Sequence, residues 1–420
     1  MSATAPRYLT RFQCLADTCE DTCCAGLVVP VSDARWKVLR DAVAGGPDAA
    51  RVAALVLPDP GSGVGAEAAY IAKREDGLCS FLDARRLCSL HRAYGEAVLP
   101  DACAVFPRVA TRRAGRLEVT GSFGCPEVVR LCLLAEDALE PVPVDASLAA
   151  RPELARALGG EDAADAWTWH AARVREVALR ILERREYPYA SRLFMLGELA
   201  RRLGAFYFRG TEAFRDEALL LSTLSDFEAP STLDALHAMV SSVRLPGGPW
   251  AGICGAVLRA RIDGVRGARF QAWARAIQAS YGGPSAAPDD VWAQYSERRA
   301  RLEPVLGERI EQYFRHHAVN HWLRNPFTDS PSVMDSVFKL TLRAAMLRWA
   351  LFGHPEVVAL CEDPTPSDAR ARLDAAAVEC FQLSAKHLEQ SPELHDLAQG
   401  LSGGAGPDSL PRMLVLLQGM

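Results

Sequence analysis

Apolar positions follow two different rhythms along the chain. From Trp167 onward they recur every three to four residues: Trp167, Val174, Val177, Ala178, Ile181 and Leu182 fall on one side of a helix. Tyr187-Pro188 interrupts it, because proline disfavours a helical residue before it. Leu193, Leu196, Leu199 and Leu203 then predict a second helix ending near Gly204. Two further stripes follow, one of Phe338, Leu342, Ala345, Trp349 and Phe352, the other of Leu373, Ala376, Ala377, Cys380, Phe381 and Leu383. Leu245–Pro249 and Gly282–Pro284 read as loops between helices. Before residue 135 this period is mostly missing. Leu27–Val31 and the alternating Arg116–Thr120 predict short strands, Ala34–Val43 a helix, and Pro58–Gly65 a loop. Residues 136–163, rich in Ala, Pro, Glu and Gly, read as a linker, with a short helix at Pro152–Leu158 as the alternative. No repeat of 20–50 residues is present, so a solenoid is not expected. The expected fold is mainly α. An N-terminal domain of short irregular α/β elements spans 1–135, a linker spans 136–163, and an all-helical domain spans 164–420.

Composition leaves this picture unchanged: 49% hydrophobic and 24% charged residues are ordinary globular usage. A net charge of -5 gives no electrostatic reason to expect nucleic acid, and the arginines between Arg259 and Arg275 read as a solvated helix face. The opening Met-Ser-Ala-Thr-Ala-Pro-Arg lacks the apolar core of a signal peptide, and no apolar run approaches the ~18 residues of a membrane span. A reducing cytoplasm, without membrane partners, is the expected location.

The cysteines alter the picture. Eight of the chain's 12 fall within the first 125 residues: Cys14, Cys19, Cys23, Cys24, Cys79, Cys88, Cys103 and Cys125. In a reducing compartment such an array favours a metal site over disulfides. Thiolates are soft ligands that select zinc or iron–sulfur clusters. The paired C-x2-C knuckles of zinc modules are missing, and spacings of four, three and zero residues followed by scattered single cysteines fit a domain wrapped around a cluster. Cys23 and Cys24 are adjacent, and neighbouring side chains diverge, so one binds and the other packs, or more than one metal is present. Eight candidates exceed the four ligands that close one tetrahedral or cubane site. A metal centre would also supply folding free energy to a segment poor in helical pattern. Cys254, Cys361 and Cys380 lie on or beside apolar stripes and read as buried hydrophobes.

Other motifs carry less. His91, three residues after Cys88, reads as a polar helix position rather than a ligand. His317 and His321 are spaced as H-x3-H without the glutamate of a zinc-protease motif. Gly403–Gly406 precedes no strand–helix unit and reads as a C-terminal loop rather than a nucleotide-binding turn.

Several segments together resemble the flagellin lysine-N-methylase family. They are Arg11–Cys14, Cys19–Cys24, Cys79–Leu82, Leu87-Cys88, Leu99-Pro100, Cys103 with Phe106–Arg108, and Cys125–Glu127; in the helical part, Arg184–Pro188 with Arg192–Leu196, and Tyr313 through Asn320 to Phe327. The chain departs from that family at Leu27, where tryptophan is usual, and at Gln312, where an asparagine–tyrosine pair is reduced to Gln312-Tyr313. The resemblance implies a cytoplasmic protein-lysine methyltransferase that uses S-adenosylmethionine and a [4Fe–4S] cluster, with zinc as the alternative metal. Its partner would be a protein with surface lysines, flagellin among them. Tyr313 and Asn320, seven apart on one helical face, are the candidates for the reactive pocket, because lysine must lose a proton to attack a methyl donor. The competing expectation is a non-catalytic iron–sulfur or zinc protein acting in electron transfer or as a scaffold.

Overall fold

A computed structural model describes every residue except 1, 27, 59–66, 114, 159–169, 205–216, 266, 365–366, 390 and 404–408. Trp167, Leu27 and nearly all of the expected loop at 58–65 therefore lie outside the described residues.

The protein is mainly helical. The periodic stripes become α7 (Ala171–Glu183), α8 (Tyr189–Gly204), α14 (Val333–Gly353) and α16 (Ala369–His387), and the break at Pro188 falls between α7 and α8. Between these lie α9 (Glu217–Asp226), α10 (Pro230–Ser242), α11 (Gly248–Ile262), α12 (Ala268–Ser280), α13 (Pro288–Arg324) and α15 (Pro355–Glu362). The chain closes with α17 (Pro392–Ser402) and α18 (Ser409–Leu417). Almost every residue of α14 is buried, as its all-round apolar sequence requires, so it is the axis of the helical body. Helix α13 runs for 37 residues, about 55 Å at the α-helical rise, with proline at its first turn.

Among the described residues, eight strands form two sheets. Strands β2 (Pro30–Ser32), β3 (Val56–Pro58) and β4 (Glu67–Ile71) make the smaller, ordered β2-β4-β3. With α2 (Asp33–Val43), α3 (Ala49–Leu55), α4 (Ser89–Tyr94) and α5 (Asp101–Val105) they enclose a separate apolar core, from Val29 to Ala104. We call this the small lobe.

The larger sheet runs β7-β1-β6-β5-β8. It brings β1 (Ser2–Pro6) between β7 (Pro141–Asp145) and β6 (Arg116–Gly121), and sets β8 (Arg156–Leu158) against β5 (Arg108–Arg113). The two strands of the β5–β6 hairpin are closed at Arg113–Arg116 by a turn in which Gly115 has φ +74°, a conformation such tight turns demand. Residues 141–145 and 156–158, read from composition as linker, are thus sheet strands; Pro141 and Pro143 are tolerated because β7 lies at an edge. Leu117 and Val119 of β6, Tyr8 and Leu9 of the short α1 (Arg7–Thr10), and α6 (Pro126–Leu134) share one continuous core with the helical body. The apolar residues therefore fall into a small lobe and one large body that includes both chain ends.

Candidate metal centre and neighbouring cleft

The eight N-terminal cysteines separate into two neighbourhoods. Cys24 lies within electrostatic reach of Cys79, Cys88 and Cys103, which belong to three different segments of the small lobe. The Cys79 amide donates to the Cys24 carbonyl at 2.8 Å, which ties two of those segments directly. Cys14, Cys19 and Cys125 sense one another instead, at the edge of the large body. Cys23 stands between, feeling Cys24, Cys14 and Cys103. The neighbouring Cys24 and burial favour the thiol on Cys23, while Cys23, Thr22, Lys73 and Lys386 favour the thiolate on Cys24 against its burial.

Backbone amides already face several sulfurs. Burial pushes the Cys79, Cys88 and Cys125 thiols up, and the nearby amides of Phe81, of Leu90 and His91, and of Glu127 and Val128 offset this in part. Cys88 and Cys125 are the N-cap residues of α4 and α6, so these donors are the free amides of a helix start. Donors of this kind stabilise thiolate charge. Among the described residues, no group of three or more His, Cys, Asp or Glu side chains is already drawn to metal-holding distances. The donor set nevertheless fits a soft metal or cluster in its chemistry: the Cys79, Cys88 and Cys103 thiols gather around Cys24, backbone amides lie near Cys79 and Cys88, and two lysines lie near Cys24. His91 is exposed on α4.

The loop that carries Cys19, Cys23 and Cys24 is pinned to the helical body. Lys386 on α16 donates to Asp21 Oδ1 at 2.9 Å and to the Thr22 carbonyl at 3.1 Å. Gln382, one turn earlier, donates to Asp21 Oδ2 at 2.7 Å and to the Gly124 carbonyl at 3.2 Å. Glu20 of the same loop pairs with Arg130 on α6 at 2.5 Å.

Tyr313 and Asn320 lie on the face of α13 that docks α6 and the larger sheet. Both are fully enclosed. The Tyr313 hydroxyl donates to Asp374 Oδ1 on α16, and Arg309 grips the same carboxylate through Nε at 2.8 Å and Nη2 at 2.9 Å. Asn320 accepts from the Tyr8 hydroxyl at 2.7 Å and donates to the Gly121 carbonyl at 3.1 Å. The Tyr8 hydroxyl in turn accepts from Gly121 N–H, and a Cβ on Gly121 would meet Val128 at 2.8 Å and the Tyr8 hydroxyl at 3.0 Å. Asn320 is therefore committed to joining α13 to the sheet. Tyr313 faces outward only through Asp374.

The two histidines of the H-x3-H spacing are buried in a charged network. His317 Nε2 lies 3.4 Å from Glu389, which also meets Arg324 at 3.3 Å and Arg343. Asn325 Nδ2 lies 3.0 Å from His321 Nδ1, and Arg343 Nη1 lies 2.9 Å from Nδ1 and 3.3 Å from Nε2. Burial pushes both histidines below their usual range, and two neighbouring guanidiniums make a cation there unfavourable. Burial opposes the Glu389 charge, but Arg343, His317 and Arg324 outweigh it and hold the carboxylate ionised far below its usual range.

Cys254, Cys361 and Cys380 are buried. In the arginine-rich stretch Arg259 and Arg275 are exposed, whereas Arg261 donates to the His387 carbonyl at 2.8 Å and Arg269 pairs with Glu379 at 3.0 Å.

A cleft of about 520 Å³ opens between the start of the large body and α16. Glu20, Arg130 and Leu134 form one wall, and Arg269, His354 and Glu356 the other. The floor is the face of α16 that presents Ala371, Asp374, Ala375, Val378 and Glu379 at helical spacing. Glu20 adjoins Cys19, so the cleft borders the Cys14–Cys19–Cys125 neighbourhood. Sequence patterning could not single out Asp374, Arg309 or Lys386, because their pairing partners are 61 or more residues away.

A family model described as the FliB lysine N-methylase C-terminal domain matches residues 175–416, more than half of the chain. The chain is 27% identical over 148 residues to a lysine-N-methylase of Salmonella typhimurium, a match covering 33% of this chain and 34% of that protein. It is 28% identical over 151 residues to the flagellar biosynthetic protein FliU of Salmonella muenchen, covering 33% of this chain and 81% of that protein. The matched region thus spans about a third of the length of the lysine-N-methylase. No solved structure matches. Among the described residues, no helix is long and apolar enough to cross a membrane.

Proposed function

Because the chain belongs to the FliB lysine N-methylase C-terminal domain family, we propose that it transfers a methyl group from S-adenosylmethionine to lysine side chains of a protein, with flagellin the first substrate to try. The observation that carries this reading is the family match over residues 175–416. The arrangement of the two parts supports it, since ligand sites favour the junctions between structural units. An N-terminal thiol array meets the helical body beside an open cleft, with α16 contributing both to that junction and to the cleft floor.

The metal half of the proposal rests on the thiols. Cys24, Cys79, Cys88 and Cys103 form the set that would hold a [4Fe–4S] cluster, with Cys14, Cys19, Cys23 and Cys125 as the neighbouring set. When bound, such a cluster supplies electron transfer at a potential tuned by hydrogen bonds to its sulfurs. The chain's own contribution is to bring amide donors to Cys79, Cys88 and Cys125, and cationic charge to Cys24. A lysine substrate has a free pKa near ~10.4, so the pocket must take up its proton and shield it from water.

The test is to purify the protein anaerobically, assay iron, sulfide and zinc, and incubate it with S-adenosylmethionine and flagellin. Near-equal iron and sulfide, with label from the donor's methyl group appearing on flagellin lysines, are expected. Colourless protein with stoichiometric zinc after reconstitution would replace the cluster with zinc. Absence of methyl transfer to flagellin and to other lysine-bearing proteins would overturn the enzymatic reading.

A further inference from the structure

A second cavity, of about 180 Å³, is bounded by α11, by the loop joining α12 to α13, and by Trp349 of α14. It shares no lining residue with the α16 cleft, and none of the eight N-terminal cysteines borders it. Glycines make its space. Gly252 and Gly255 of α11 present no side chain to it, and Gly283, at φ +92°, carries the loop past in a conformation other residues rarely adopt. A Cβ on Gly255 would stand 3.1 Å from Arg259 Nη1. The bare position lets the Arg259 guanidinium, one turn later, lie back along the helix at the cavity's mouth. Arg259 spends only a long 3.4 Å bond on the Pro284 carbonyl and has no ion pair among the described residues.

Trp349 supplies a second, independent sign of an occupant. It is 2% exposed, and its buried indole N–H has no hydrogen-bond partner among the described residues. Its ring is held in place. Tyr281 stacks on it at 5.2 Å between centroids, the Tyr281 hydroxyl donates to the Trp349 carbonyl at 2.9 Å, and Arg298 covers the Tyr281 ring at 4.5 Å. A buried donor left unpaired is costly, so an acceptor in the cavity is favoured. The polar side chains of the lining are Arg259, Trp349, Gln278 and Ser285, with no carboxylate among them. Asp289 and Asp290 are exposed in the first turn of α13 and do not line the cavity. Water would satisfy the indole, but only an anion takes up the guanidinium fork as well. The volume lies below the ~300 Å³ of pockets that take drug-sized ligands, which limits the occupant to a few heavy atoms.

We propose that this cavity binds a small carboxylate with a short alkyl chain, its oxygens shared between the Arg259 guanidinium and the Trp349 indole N–H, its chain on Ala251 and Val291. The site stands apart from the methyl-transfer reading, since it requires neither the thiols nor a methyl donor.

The test titrates propionate, and separately its neutral isostere propionamide, into the full-length protein with isotope-labelled tryptophan, read by NMR. The indole N–H signal that vanishes in Trp349→Phe identifies Trp349. That signal is expected to move downfield and saturate with propionate. Propionamide should bind at least roughly tenfold more weakly, because hydrogen bonds to an ionised group are the stronger. Arg259→Gln, at an exposed site that keeps the fold, should abolish this preference, and Arg259→Lys should restore part of it. Propionate should also raise the thermal unfolding midpoint of the parent protein and not that of Arg259→Gln. A Trp349 signal unmoved by propionate, equal binding of acid and amide, or an undiminished preference in Arg259→Gln would overturn the assignment. Inorganic phosphate binding this site more tightly than propionate would overturn the carboxylate class.

Discussion

Replacing Lys386 by methionine should release the cysteine loop from the helical body. The substitution keeps the buried stem and removes the charge that meets Asp21 at 2.9 Å and the Thr22 carbonyl at 3.1 Å. The lysine side chain is 1% exposed and that of Asp21 is 11% exposed, so the carboxylate would be left nearly dry. Breaking a buried pair in this way costs ~3–5 kcal/mol. Asp21 keeps the Gln382 donor at 2.7 Å and some access to water, which points to the low end, about 3 kcal/mol. That energy corresponds to a roughly 150-fold rise in the population of an opened loop. The loss should be local, because the small lobe has its own apolar core. Hydrogen exchange read by mass spectrometry should therefore accelerate at the amides of Ala25, Gly26 and Cys79, which bond to Thr22, Gly77 and Cys24 carbonyls. Amides in the middle of α14 should keep their rates. The double variant Asp21→Asn with Lys386→Met should recover much of the protection, since no unpaired charge remains. Exchange within about threefold of the parent protein in Lys386→Met would show that Lys386 does not pin the loop.

Stability should also fall as pH drops below about 6.5, the unfolded histidine value. Burial holds His316 down to about 4, so it stays neutral in the fold while the unfolded chain gains a proton; its contribution is full above the unfolded pKa and lost as pH falls through the folded one. His317 and His321 act in the same direction, and a urea midpoint that is flat from neutral to mildly acid pH would contradict this. Cys24→Ser and Cys79→Ser should strip bound iron, whereas Cys361→Ser, at a buried site against the Arg298 carbonyl, should leave metal content unchanged by atomic emission. Tyr313→Phe should cost about 1 kcal/mol in a denaturant titration with iron unchanged, because Asp374 loses one of its two supports, and an unmoved midpoint would contradict this.

Much of the helical body was legible from periodicity, since stripes such as Phe338–Phe352 reflect burial against neighbours on several sides. The larger sheet was not. Strand β1 pairs with residues more than a hundred positions away, and β7 carries two prolines that read as linker until its edge position is known. The cysteines were legible as a set, because their uneven use needs no structure to be noticed. Their division around Cys24 and around Cys19 was not, because it depends on how the small lobe folds back on residues 14–24. Tyr313 and Asn320 were correctly placed on one face of a helix, but that face is buried, and the group with access to the cleft is Asp374, which carries no motif.

Methyl transfer to lysine can be read by tandem mass spectrometry of flagellin after incubation with the anaerobically purified protein and S-adenosylmethionine bearing a deuterated methyl group. The heavy methyl is expected on lysine Nζ, dependent on intact protein and lost in Cys24→Ser. Heavy methyl confined to other residue types, or lysines unmodified with iron-loaded protein and all lysine-bearing acceptors tried, would contradict it.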